Sequence, residues 1–135
     1  MCLSLALDRP NDVLSEGYHK GFKYVTMRSP MNVRCGYVRV PSNHPWSDKD
    51  YDELNIECHG GLTFAAFDTP CGDPEEESNP SYWVGFDCGH YMDSPDPSFG
   101  GNPFFYEVPG ALGTIRTQDF VEDECRKICD QAAAA

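Results

Sequence analysis

Between Gly21 and Arg28 the chain alternates in period two: Phe22, Tyr24 and Thr26 fall on one side, Lys23, Val25 and Met27 on the other. That spacing predicts a half-buried β-strand, because successive side chains of an extended chain point to opposite faces. Residues 35–40 (CGYVRV) predict a second strand, with Ser29-Pro30 and Asn32 supplying the turn before it. Pro41 closes that strand, since proline has no N–H for the ladder. Further strands are predicted at 54–58 and 62–67, with Gly60-Gly61 between them. The run SYWVGFDC at 81–88 is nearly continuous in apolar residues and predicts a central strand covered on both faces. One helix is predicted, from about 119 to 131. Asp119 with Glu122 gives a capping-box-like start, and Val121, Cys125, Ile128 and Cys129 share a face at helical spacing. The expected fold class is α+β: an antiparallel sheet of about five strands with a C-terminal amphipathic helix packed on it.

Between these elements lie polar or Gly/Pro-rich connections. Residues 41–53 predict an acidic surface loop with Trp46 tucked back, and residues 68–80, with three prolines and five acids, an exposed one. The segment 89–113 combines glycine, proline and aromatic residues, a composition expected of a long connection packed over a site or a core edge. At 135 residues the chain has the length of one domain, and eleven prolines with twelve glycines argue against a helical bundle.

Net charge is −12, from 10 basic and 22 acidic residues. Gripping a duplex or an anionic membrane requires clustered Lys and Arg, so neither direct nucleic-acid binding nor membrane docking is expected. Seven cysteines stand at 2, 35, 58, 71, 88, 125 and 129. The odd count, and a first segment (MCLSLAL) without the basic flank of a secretory signal, predict free thiols in a reducing cytosol.

The densest reactive chemistry comes from two strand ends: Cys58-His59-Gly60-Gly61, and Asp87-Cys88-Gly89-His90 with Asp93 close behind. If those strands pair, imidazoles, thiols and carboxylates converge at one edge of the sheet. Three readings compete there. As a metal site, His59, Cys88, His90 and Asp93 offer zinc-type donors, but without a CxxC spacing. As a hydrolase, with metal or thiol, His59, Asp87, Cys88 and His90 supply base, carboxylate and nucleophile. As structural groups, the imidazoles pin strand ends by hydrogen bonds, and this reading carries the largest share. HGG lacks the frame of a phosphate loop. A binding site needs less: aromatic planes (Trp46, Tyr82, Trp83, Tyr91) and a few fixed polar groups.

The segments CGYVRVPSNHPW, ECHGGLTF and YWVGFDCGHYMD, followed by an acidic C-terminal helix, resemble a family of small proteins encoded by tailed bacteriophages and prophages. The likeness covers about Cys35 to Asp93 and the helix. It departs at Phe64, where tyrosine is frequent, and in the long acidic loop 68–80. The resemblance implies His44, His59, Asp87, Cys88, His90 and Asp93 as recurrent polar positions, and a phage accessory protein in a bacterial cytoplasm as the setting. The leading expectation is a host-takeover or anti-defence factor, more a binder than an enzyme. It would hold a small polar, nucleotide-like ligand or a host defence protein through His44, His59, Asp87, His90, Asp93, Trp83 and Tyr91, with no cofactor. The overall acidity weighs against a polyanionic ligand unless Arg34, Arg39, Arg116 or Lys20 faces the pocket. A third expectation is mimicry of a phosphate backbone by acids at 48–53, 73–77 and 119–124, against a basic host effector.

Overall fold

Lys20 and Gly21 both take positive φ, 55° and 83°, the left-handed pair that a two-residue type I′ hairpin turn requires. They join β1 (Val13–His19) to β2 (Phe22–Arg28). The computed structural model describes residues 13–29, 32–67, 80–89, 93, 94, 96, 99 and 114–135. After β2 come β3 (Arg34–Val40), β4 (Phe64–Phe67), β5 (Tyr82–Asp87), the two-residue strands β6 (Asp93–Ser94) and β7 (Thr114–Ile115), and the helix α1 (Gln118–Ala134).

Five strands form one antiparallel sheet in the order β1-β2-β3-β5-β4, and α1 lies across β3, β2 and β1. The expected α+β arrangement is the observed one. β5 is buried along most of its length, as its apolar run predicts. The expected helical face is buried too, through Val121, Cys125, Ile128 and Cys129, joined by Glu124 and Ala132. These residues close the main core over Tyr24, Val38, Val40, Val84 and Phe86. No helix among the described residues is long and apolar enough to cross a membrane.

Four details differ from expectation. First, β2 is buried on both faces: Val25, Thr26 and Met27 have no exposed surface. Val25 and Met27 belong to a second apolar cluster, with Cys35, Tyr37 and Trp83, on the face away from α1. Second, residues 54–58 form no strand. Their alternation is real, with Ile56 buried and Leu54 and Cys58 packed on the core. The backbone of Glu57, however, pairs with a helix side chain: its N–H donates to Gln131 Oε1 (2.8 Å), and Gln131 Nε2 donates to its carbonyl (2.7 Å). Third, the fifth strand is β1, whose mixed sequence VLSEGYH hides its role. Gly17 sits in it because the Tyr24 ring lies against its backbone; a Cβ there would meet Tyr24 Oη at 2.5 Å. Fourth, α1 is capped by Thr117, which accepts the Phe120 N–H (3.3 Å), and not by Asp119.

Candidate functional site

Antiparallel register aligns Cys35 with Asp87 and Tyr37 with Gly85, and Gly85 in turn with Phe64. Tyr37 and Phe64 therefore meet across the missing side chain of Gly85, edge to face at 5.3 Å. A Cβ at Gly85 would overlap the Tyr37 ring. These residues wall a cavity of about 490 Å³ at the end of the sheet where β2 finishes and β3 begins. Cys35, Tyr37 and Phe64 are joined by Val33 and Phe86 as apolar lining, while Ser29, Thr63, Asp87, Gly89 and Asp93 supply its polar part. That size lies within the ~300–1,000 Å³ usual for small-molecule sites, and so does the mix of apolar wall and few polar groups. Asp87 is held in place locally, its Oδ1 accepting the Gly89 N–H at 2.9 Å.

Behind the cavity, Asp93 is the centre of a polar node. Its side chain has no exposed surface, and both oxygens are engaged: Oδ2 with His59 Nε2 and Oδ1 with Arg116 Nε, each at 2.8 Å. His59 reaches it from a turn shaped by Gly60 and Gly61, both at positive φ (70° and 79°), with Gly61 N–H donating to the Cys58 carbonyl. Phe120 braces the node, with the His59 ring edge-on at 5.3 Å and the Arg116 guanidinium over its face at 5.0 Å. Arg34 adds a second tie, bonding Asp96 (2.8 Å), the Arg116 carbonyl (3.0 Å) and Gln118 Oε1 (3.2 Å).

The expected cluster is thus brought together in part. His59 and Asp93 meet, and Asp93 and Asp87 line one cavity. Cys88 is close by but 1 % exposed. Burial first, then the negative fields of Asp93, Cys35 and Asp87, push its thiol up to about 12, with Arg116 opposing. A thiol held protonated this strongly is a poor nucleophile and a poor metal ligand. His44 is elsewhere, and here the expectation is corrected. Its Nδ1 accepts the Trp46 N–H (3.1 Å), which leaves Nε2 to donate to the Ala132 carbonyl at the C-terminal end of α1 (2.9 Å). Trp83 is fully buried in the second cluster, its indole N–H without a hydrogen-bond partner among the described residues, beneath the Arg39 guanidinium. Trp46 and Tyr82 belong to the main core, so the aromatic planes at the cavity are Tyr37, Phe64 and Phe86 instead. His90 and Tyr91 lie outside the described residues. Among the described residues, no group of three His, Cys, Asp or Glu side chains is disposed to hold a metal ion.

Compared with family models, curated proteins and solved structures, the chain matches none. The functional reading therefore rests on the residues themselves.

Proposed function

We propose that this chain is a binding module, a phage-encoded accessory protein that holds a small ligand in the cavity between Tyr37, Phe64 and Asp87 as part of a host-takeover or anti-defence role in the bacterial cytoplasm. The phage setting follows from the resemblance of the Cys35–Asp93 segments alone. One observation carries the binding reading: an apolar recess of about 490 Å³ with a few polar groups fixed at its rim. Two further features favour capture over catalysis. The His59 imidazole is committed to Asp93, whose second oxygen is clasped by Arg116. The Cys88 thiol is buried and held protonated.

Phosphate mimicry draws less support. The helical acids are largely absorbed within the fold: Glu122 by Gln118 and Ser15, Asp123 by Arg126, and Glu124 by Lys127.

Thermal-shift screening against a panel of small polar metabolites tests the binding reading. A ligand at a hundredfold excess over its Kd stabilises the folded state by about 2.7 kcal/mol, several degrees for a domain of this size. Thr63 is exposed at the cavity wall, so Thr63→Trp fills the recess without touching the core. The expected result is stabilisation of the wild type by at least one compound and its loss in Thr63→Trp. A panel that stabilises neither protein, or both equally, would remove the cavity from the account.

A further inference from the structure

We infer that the outer edge of β4 accepts an extended basic peptide as an added strand. The sheet ends at two edge strands, β1 and β4. Such strands present backbone N–H and C=O groups that can pair with another chain. β1 carries the guards that proteins usually place there. Its register shifts between Val13 and Ser15, and its exposed Glu16 is paired with Lys23 at 3.2 Å. β4 has neither. Its sequence, FAAF, holds no charge and no proline, its register with β5 is unbroken, and Phe67 at its end is 41 % exposed. Among the described residues its backbone is hydrogen-bonded to β5 alone, and its other side pairs with none of them. At four residues it offers a short ladder, which suits a peptide better than a second sheet.

Charge decides which peptide. Phe67 meets Tyr82, its partner in the register, with ring centroids 4.9 Å apart. The Tyr82 hydroxyl donates to the Lys49 carbonyl, which fastens the 48–53 loop beside this end of β4. Burial, then the fields of Asp50, Asp48 and Glu53, raise that hydroxyl's pKa, so these carboxylates act on the Phe67–Tyr82 end of the edge. Asp48, Asp50, Asp52 and Glu53 are exposed, and none joins an ion pair among the described residues. Lys49 is the single cation within the loop, and Arg39 lies over the Trp83 ring on the opposite face of β5. A second copy of this chain would bring the same acids and the same net charge of −12 to the edge, and repulsion disfavours it. A short apolar segment flanked by Lys or Arg fits both features. Its backbone extends the ladder, its apolar side chains adjoin Phe67, and its basic ends reach the loop carboxylates.

Two synthetic peptides test this, Lys-Lys-Val-Thr-Val-Thr-Lys-Lys and its counterpart with Glu in place of each Lys, titrated against the whole chain by amide-resolved NMR. The Lys peptide is expected to give saturable shifts at Ala65, Ala66 and Phe67, none of them a lining residue of the cavity. Exchange should slow at those β4 amides that point away from β5. The Glu peptide is expected to bind at least about tenfold more weakly. Raising salt from about 0.05 to about 0.5 M is expected to weaken the Lys peptide about fivefold. Asp48→Asn/Asp50→Asn is expected to weaken it about threefold at low salt; asparagine tolerates the left-handed backbone at Asp48 (φ 62°). If the Glu peptide binds as tightly as the Lys peptide, the charge argument is wrong. If neither binds, or the shifts gather away from β4, the edge is not a docking strand. If the β4 amides are already protected in the free chain and that protection fades on dilution, a second copy occupies the edge and the inference is overturned. The wild-type peptide pair decides the matter without any variant, and the metabolite panel reports on the cavity separately.

Discussion

Asp93 shows how a single side chain organises the end of this sheet. A carboxylate with no exposed surface is costly to bury, and it persists because His59 and Arg116 each give it a hydrogen bond at 2.8 Å. Removing one partner leaves a buried charge short of compensation. Breaking a wholly buried pair costs about 3–5 kcal/mol. Arg116 is a quarter exposed and His59 remains, so Arg116→Ala is expected to destabilise the fold by about 2–3 kcal/mol. Urea unfolding checks this, and a loss below about 0.5 kcal/mol would mean that Asp93 is not held as charged. Half of this node was legible in the sequence: glycines after His59 and the clustered His, Cys and Asp residues marked both segments. Arg116 carried no such mark, because nothing local distinguishes an arginine that returns from 23 residues downstream. Cys88 was legible as a residue type but not as a depth, and depth decides its chemistry.

At the scale of elements, the patterns that are purely hydrophobic translated well and those that depend on partners did not. β5 and the buried face of α1 follow directly from their apolar spacing. Residues 54–58 have strand periodicity, yet a strand also needs a neighbour, and there the Gln131 amide supplies both backbone bonds. No property of the local sequence announces that substitution. β1 was missed for the converse reason: it is an edge strand with a glycine inside, chosen for the Tyr24 ring that covers it. Close approach also sets the helix on the sheet. At Gly36 a Cβ would meet Cys125 Sγ and the Phe86 ring, each at 2.6 Å. Overpacking of this kind typically costs about 1–3 kcal/mol. Gly36→Ala is therefore expected to lower stability by about 2 kcal/mol, with part of the loss recovered in Gly36→Ala/Cys125→Ala, because the sulfur is one of the two obstacles. A fully additive pair of substitutions would show that α1 and β3 are not in contact at this point.

For the whole molecule, four thiols on or under α1 make stability depend on alkaline pH. Burial pushes Cys58 up to about 11 and Cys88 and Cys129 up to about 12, from an ordinary 9.0, and raises Cys125 further. Burial, then the acids of the 48–53 loop, raise Tyr82 as well. The folded chain thus keeps protons that the unfolded chain releases above about pH 9, so unfolding is favoured as pH rises. This contribution is complete below pH 9 and fades as pH climbs toward 11–12. On the acid side the sign reverses. The Gln118 hydrogen bond lowers Glu122, whose contribution is present above the ordinary carboxylate value and is lost as pH falls. Urea midpoints are expected to drop steadily from pH 9 to 11, and a flat profile would place these thiols in water. The cavity is where the sheet end and the aromatic walls of Tyr37 and Phe64 converge, and amide chemical-shift mapping with the uncharged probe benzamide reports directly on whether it binds. Saturable shifts are expected at Cys35, Tyr37, Phe64, Asp87 and Gly89, absent in Thr63→Trp. Shifts gathered instead around His44 and Trp46 at the opposite end of the sheet, or no saturable shift at all, would contradict binding in the cavity.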